Sequence, residues 1–337
     1  MSISWRVLGN AGSDNAAYAR IETGQAVHRL LFDCGAGCPS ALEPGEVRAI
    51  DHLIFSHLHM DHIGGFDTFF RANYNRPTKP VEVWGPPETI RILHHRFRGF
   101  LWNLYEGEPG VWRVHDIYPD RIETARFDAA EAFATAHTEG ARARAGRLIL
   151  DEPAYTLNAL RMDHQTPSLA YLVREKPRLN IDEGRLVELG LAPGAWLRQL
   201  KDWAPGDGAA ITIAGTPYDA EKLRAALLLE TPGESLAYLT DFLLDEPAHE
   251  RLAVALREVK TVICECQYLD EDADLAARNY HMTPSAVAGL ARRADVGQLI
   301  LFHVSDRYRR DGWMRLLAEA RAVFPRTDFP PAWGMDG

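Results

Sequence analysis

Apolar and polar positions change period repeatedly along this chain, and each change marks an element. Short apolar runs separated by polar residues predict strands over residues 4–8, 17–22 and 29–32. Asp51-His52-Leu53-Ile54-Phe55-Ser56 reads as a further strand, and Ile63, Phe66, Phe69 and Phe70 recur just beyond it with helical spacing. The same reading predicts strands over 81–84, 155–163, 236–239, 261–266 and 298–302. Helices are expected over 246–259, 283–293 and 313–324, the second opened by Thr283 as N-cap and Pro284 at the first helical position. Strands alternating with helices argue an α/β fold. Residues 175–234 break the pattern, because charged and Pro/Gly-rich pieces alternate there without continuous periodicity. They are expected to form an insertion or arm within one domain covering 1–325, with 326–337 as a tail. Between residues 94 and 119 the chain is aromatic (Phe97, Phe100, Trp102, Tyr105, Trp112, Tyr118), which suits a lid, a dimer surface or ordinary packing.

Composition narrows the class. The 337 residues are 46% hydrophobic and 25% charged, as in soluble globular proteins. No run of apolar residues is long enough to span a membrane, and Met1-Ser2-Ile3-Ser4-Trp5-Arg6 lacks the basic start and apolar stretch of a secretory signal. Only four cysteines occur, Cys34, Cys38, Cys264 and Cys266; the last two share one face of an apolar strand and read as reduced, buried thiols, with a second metal site as the alternative, and a cytoplasmic location fits. A net charge of −10 argues against general affinity for nucleic acid but leaves room for a local basic patch. Two small basic stretches occur, Arg142 with Arg144 and Arg147, and Arg91 with Arg96 and Arg98; each is most simply a solvated face.

The chemistry is concentrated at His57-Leu58-His59-Met60-Asp61-His62, followed by Gly64-Gly65. Three imidazoles and a carboxylate sit where a strand hands over to a helix, and adjacent glycines let the backbone turn tightly enough for side chains to converge. Mixed His and Asp ligands suit zinc. His164, Asp241 and His303 each follow a predicted strand, as the cluster itself does. His28, His52, His94, His95, His115, His137 and His249 have no such placement and read as ordinary core or surface groups.

The H-x-H-x-D-H spacing from His57 to His62 resembles the signature of the metallo-β-lactamase superfamily. That resemblance implies an αββα sandwich, two packed sheets with outer helices, whose strand-end loops gather at one edge. It also implies two zinc ions per chain: one held by His57, His59 and His164, the other by Asp61, His62 and His303, with Asp241 bridging. An aspartate at the bridging position suits phosphodiesterase, glyoxalase II and lactonase branches better than true β-lactamases. His59 stands where flavodiiron oxygen reductases carry glutamate, which makes redox chemistry improbable.

Within the superfamily, three segments resemble ribonuclease Z, and the similarity extends over about residues 5 to 325. His164-Gln165-Thr166-Pro167-Ser168-Leu169-Ala170-Tyr171 matches an H-x-x-P-x-x-x-Y pattern, and the segment from Leu186 to Gly194 is similar to that family's leucine-glycine-proline segment. Glu265, the acidic spacer Asp270-Glu271-Asp272, His281-Met282-Thr283 and the strand ending at His303 complete the match. Departures are Asn10 to Ala17, which lacks the family's arginine and proline, Thr240-Asp241-Phe242 in place of G-D-T, Cys264-Glu265-Cys266-Gln267 in place of H-E-A-T, and Gly194-Ala195 in place of Gly-Pro.

The resemblance implies hydrolysis of a phosphodiester, that of precursor tRNA, by a two-metal hydroxide mechanism in a homodimer with no membrane attachment. Asp61, His281 and Glu265 would be catalytic, His281 as proton donor to the leaving oxygen with Glu265 holding its other ring nitrogen. Asp33 would support a metal-bound histidine. Two other readings stay open: a hydrolase of a small phosphodiester, lactone or thioester with no tRNA role, and a non-catalytic RNA-binding or scaffold protein.

Overall fold

The computed structural model describes residues 3–23, 26–104, 107, 109–204 and 206–335, so Tyr105 lies outside the described residues. The chain divides into two compact units, residues 1–174 with 234–337, and residues 175–233.

The first unit begins with an eight-stranded sheet whose order follows the sequence. Its strands are β1 (Ile3–Leu8), β2 (Ala16–Glu22), β3 (Val27–Phe32), β4 (His52–Ile54), β5 (Val81–Gly85), β6 (Val111–Ile117), β7 (Arg121–Asp128) and β8 (His137–Ala143). Pairing is parallel from β3 to β6 and antiparallel at both flanks. The parallel strands are linked through α1 (Pro44–Ala49), α2 (Met60–Ile63), α3 (Phe66–Asn73) and α4 (Thr89–Phe97), as parallel crossovers require. The second sheet takes from this part of the chain β9 (Leu148–Asp151), β10 (Tyr155–Asp163) and β11 (Pro167–Glu175).

The second unit contains β12 (Arg178–Ile181), α5 (Glu183–Glu188), α6 (Trp196–Asp202), β13 (Ala210–Ile213), β14 (Thr216–Asp219), α7 (Ala220–Leu227) and β15 (Leu228–Thr231). Two antiparallel pairs, β12 with β15 and β13 with β14, accompany a small core of its own, including Leu186, Trp196, Leu200, Ile213 and Leu227. Asp182 and Asp219 cap α5 and α7 by accepting from Arg185 N and Lys222 N.

Back in the first unit, β16 (Ser235–Leu239), α8 (Glu246–Ala255), β17 (Thr261–Glu265), α9 (Ala273–Asn279), α10 (Pro284–Arg293), β18 (Gln298–Phe302), α11 (Arg310–Val323) and β19 (Thr327–Asp328) complete the chain. The second sheet has the order β19-β18-β17-β16-β11-β10-β9, parallel from β16 to β19.

Three apolar layers in the first unit account for this arrangement. Leu30, Phe32 and Ile54 of the first sheet meet Tyr171, Tyr238, Ile263 and Phe302 of the second. Leu31, Leu53 and Phe55 turn the other way, against Phe66, Phe69, Phe70 and Phe97 on the helices. On the far side, Ala237, Val262, Cys264, Leu299 and Leu301 face Leu252, Leu290 and Leu317. Sheets covered on both faces need apolar residues at consecutive positions, which is why Leu30-Leu31-Phe32 and Leu299-Ile300-Leu301-Phe302 do not alternate with polar residues. The result is the αββα sandwich.

Several expectations need adjustment. The apolar pattern does not predict β6, β7, β8, β9, β11 and β19 in the first unit, nor β12 to β15 in the second. In β6 and β7 the sheet-forming residues are interleaved with Arg113, His115, Asp116, Glu123 and Arg126, several of which pair across the sheet, as His115 Nε2 does with Glu82 at 2.8 Å. The aromatic stretch splits: Phe97 and Trp112 are fully buried, whereas Phe100 and Leu101 are exposed. All four cysteines are buried and free.

Gly65 shows how tightly the turn after the histidine cluster is packed. A Cβ there would lie 2.3 Å from Gly35 O and 3.0 Å from Cys34 O, and Gly65 N donates to Cys34 O at 2.7 Å. Gly289, in α10, has open space around the same position. In urea unfolding, Gly65→Ala is expected to destabilise by about 1–3 kcal/mol, while Gly289→Ala should stabilise by about 0.5–1 kcal/mol. Equal effects at the two positions would refute the close-approach argument.

Candidate metal centre

Loops at the ends of β3, β4, β10, β16, β17 and β18 converge at one edge of the sandwich. His57 lies just past β4 and His62 within α2, His164 follows β10, Asp241 follows β16, and His303 follows β18. Asp33, Gln165, Asp241, Tyr280 and His303 all have positive φ, between 48° and 59°. Left-handed backbone at non-glycine residues is costly, and its concentration here marks sharp bends at strand ends and, for Tyr280, at the end of a helix.

The sequence-derived site residues are brought together. Donor atoms of His57, His59 and His164 lie within 4.8 Å of one another, and so do those of Asp61, His62, Asp241 and His303. Asp241 is buried between the two groups. Its Oδ2 is 3.8 Å from His57 Nε2, 3.3 Å from His62 Nε2 and 3.8 Å from His164 Nε2, and its Oδ1 is 3.1 Å from His303 Nδ1. Asp61 Oδ2 is 3.3 Å from both His62 Nε2 and His303 Nε2.

The outer ring nitrogens fix the tautomer that each ring has when neutral. Asp33 Oδ2 accepts from His62 Nδ1 (2.8 Å), Ser56 Oγ (2.7 Å) and Tyr238 Oη (2.8 Å), while Oδ1 accepts from Ser56 N (2.7 Å). Having donated to Asp33, Ser56 Oγ can only accept from His57 Nδ1, 3.1 Å away. Tyr280 O, a carbonyl, accepts from His164 Nδ1 at 3.0 Å. In the neutral rings of His57, His62 and His164, therefore, Nδ1 carries hydrogen and Nε2 points a lone pair at a carboxylate. His57 Nε2 and His62 Nε2 are buried without a hydrogen-bond partner. Lone pairs facing lone pairs in a buried site call for a cation, and this His/Asp donor set fits a divalent metal such as zinc.

Protonation follows the same charge deficit. Burial disfavours charge on His62, yet Asp241 and Asp33 together hold its pKa well above the usual range. Asp241 is pushed up by burial and pulled well below its usual range by His303, His62 and His57. His57 is driven down by burial and by the neighbouring imidazoles.

His281 stands beside this centre, its Nδ1 3.2 Å from Glu265 Oε1 and 4.0 Å from Asp241 Oδ2. Burial opposes its charge most strongly, but Glu265 together with Asp241 and Asp61 outweighs it and raises the imidazole pKa to about 9. Glu265 itself is fully buried at the end of β17. Pattern reading missed Ser56, Tyr238, Asn15 and Gln267 as supports. Asn15 Oδ1 accepts from His303 N at 3.2 Å, and Gln267 Nε2 is 2.9 Å from His303 Nδ1. Only Gln267 carried a signal, its adjacency to the Glu265 segment. Among the histidines read as ordinary, His137 groups with Asp128 and Glu131 at the surface, where its Nε2 pairs with Glu131 at 2.7 Å.

A two-sheet sandwich with a His/Asp centre of this kind defines a metal-dependent hydrolase of the metallo-β-lactamase fold. The comparisons with known proteins agree. The curated ribonuclease Z of Deinococcus radiodurans is 46% identical over 331 residues, 98% of each chain. That of Brevibacillus brevis is 29% identical over 313 residues, covering 90% of this chain and 85% of its own. The chain belongs to the ribonuclease Z family. A family model described as anti-Pycsar protein Apyc1 matches residues 17–171. Among solved structures, human tRNase Z, short form, aligns with a TM-score of 0.51 at 17% identity over 91% of this chain and 94% of its own. The Bacillus subtilis metallo-β-lactamase fold protein YhfI aligns at 0.56 and 14% identity over 98% of this chain and 96% of its own. At such identities these two speak for the fold alone.

Asp33 is the positioning residue most open to test. Asp33→Asn keeps the shape but removes the charge and one acceptor oxygen from a group that serves four donors. Metal affinity should fall by roughly 10–100-fold in competition with a chromophoric chelator. Unchanged affinity would mean that His62 is held without Asp33.

Proposed function

We infer that this protein is a zinc-dependent endonuclease that cleaves a phosphodiester of precursor tRNA at the 3′ side. Membership of the ribonuclease Z family over nearly the whole chain carries this reading, because the curated relative matches arm and site alike. The ligand assignment we propose is His57, His59 and His164 for one zinc, Asp61, His62 and His303 for the other, and Asp241 between them. When bound, the two cations supply the Lewis acidity that activates water and neutralises the phosphate.

The chain's own groups do the rest. His281 is close enough to the centre to reach an oxygen leaving phosphorus, and the Glu265 contact keeps its ring charged at neutral pH, ready to give up a proton. Burial of Glu265 excludes water from that pair and fixes the ring orientation. Asp61 orients His62 and His303 from the solvent side. We place the working enzyme in the cytoplasm as a homodimer; the reduced cysteines support the first, and exposed Phe100, Leu101 and Leu104 offer apolar surface for the second. No described helix is long and apolar enough to cross a membrane.

Residues 175–233 are proposed as an arm for substrate recognition, since none of the donor residues lies in them. Arg174 of β11 stands opposite Ser235 of β16, so an Asn-Gly turn can close the gap in their place. Such a deletion is expected to keep hydrolysis of bis(p-nitrophenyl) phosphate and to lose cleavage of precursor tRNA. Loss of both, with metal retained, would place part of the chemistry in the arm.

A second reading, hydrolysis of a small phosphodiester, is favoured by the altered segment from Asn10 to Ala17. The deciding experiment is incubation of zinc-loaded protein with precursor tRNA carrying a 3′ trailer, with the cut mapped and an EDTA control. An intact precursor beside a hydrolysed small diester would select the second reading. His281→Ala should keep its metal and lower turnover by roughly 10²–10⁴; loss of metal in that variant would make His281 a ligand instead.

A further inference from the structure

Three adjoining cavities, of about 450, 180 and 200 Å³, meet around Arg161 on β10, three residues before His164. The largest includes Asp163, Gln165 and Thr166, the chain neighbours of His164, so this groove borders the loop that carries His164. Arg161 occupies a peculiar position. Along β10, Leu157 and Ala159 belong to the apolar layer between the sheets, and Arg161 continues that face where the sheets part. Arg251 of α8 borders the largest and the smallest of these openings, and Arg147 lines the smallest.

Arg147, Arg161 and Arg251 are exposed, and no carboxylate among the described residues forms an ion pair with them. Arg144, half-buried in the floor, donates only to carbonyls, including Tyr118 O at 3.1 Å and Arg147 O at 3.0 Å, and its Nε is buried without a partner. Asp163 is the one acidic residue lining the groove, and its Oδ1 accepts from Gln165 N at 3.0 Å. In a chain of net charge −10, four arginines left unneutralised in one groove call for an anionic ligand. A repeated anion matches a row of guanidinium groups, each able to grip a phosphate with two N–H donors.

We propose that this groove binds the phosphodiester backbone of the RNA strand that leaves the metal centre past His164, with Arg161 and Arg251 contacting successive phosphates. The proposal deepens the precursor-tRNA reading and rests on its RNA substrate. The arginine stretch around Arg144, a plain solvated face by sequence, thereby becomes the floor of a substrate channel.

The test is the double variant Arg161→Ala/Arg251→Ala, with Arg292→Ala, an exposed arginine of α10, as the charge control. Melting temperature and metal content should match wild type. KM for precursor tRNA should rise about tenfold or more with little change in kcat, and the slope of log KM against log salt should fall by about 1.4–1.8, the release expected from two lost phosphate contacts. Arg161→Lys/Arg251→Lys should recover most of the salt slope. A KM and slope equal to those of Arg292→Ala would overturn the groove. If wild type leaves precursor tRNA intact, the substrate reading falls, and the groove is judged by fluorescence anisotropy with a labelled single-stranded RNA oligonucleotide. Binding weakened about tenfold in the double variant would keep the groove; equal binding, or none by either protein, would overturn it.

Discussion

A carboxylate buried among imidazoles is the constraint on which this structure depends. Asp241 is almost wholly removed from water, yet four histidines from loops after β4, β10 and β18 point ring nitrogens at it. An ionised carboxylate in such a place is tolerable only with compensating positive charge nearby. Several unusual local features serve that convergence. Positive φ at Asp241 and His303 bends the strand ends, the Gly65 contact with Gly35 tightens the turn after the histidine cluster, and Asp33 fixes two histidines through Ser56 and directly.

The same electrostatic logic extends outward. At the centre, lone pairs outnumber protons and a cation completes the set. In the adjoining groove the imbalance is reversed, with arginines lacking carboxylates. A polyanionic substrate satisfies both, since its phosphates meet the cations at the centre and the guanidinium groups beside it. An overall acidic surface then limits adhesion to nucleic acid elsewhere, so binding is confined to where the charge has been left open.

The legible part of the site was local. His57 to His62 announce themselves because four donor-type residues fall within one turn, and β4, β16, β17 and β18 because strands covered on both faces need unbroken apolar runs. His164, Asp241 and His303 were found only through the family resemblance and their place after strands, since a single histidine or aspartate carries no periodic signal. Ser56, Tyr238 and Asn15 were hidden for a different reason. Tyr238 reaches Asp33 across 205 positions and Asn15 reaches His303 across 288, contacts created by packing the sheets and leaving no trace in local pattern. Strands β6 and β7 escaped because cross-strand ion pairs place charged residues where alternation would call for apolar ones.

That the donor residues run from His57 to His303 couples the order of synthesis to the onset of function. A nascent chain that has reached the end of β17 already holds the first histidine cluster, His164 and Asp241, but neither His303 nor the strand that seats it beside β17. Such an intermediate keeps the buried carboxylate of Asp241 short of one of its imidazole neighbours. The donor set is therefore complete only once β18 has taken its place beside β17, with β19 alone left to join the second sheet.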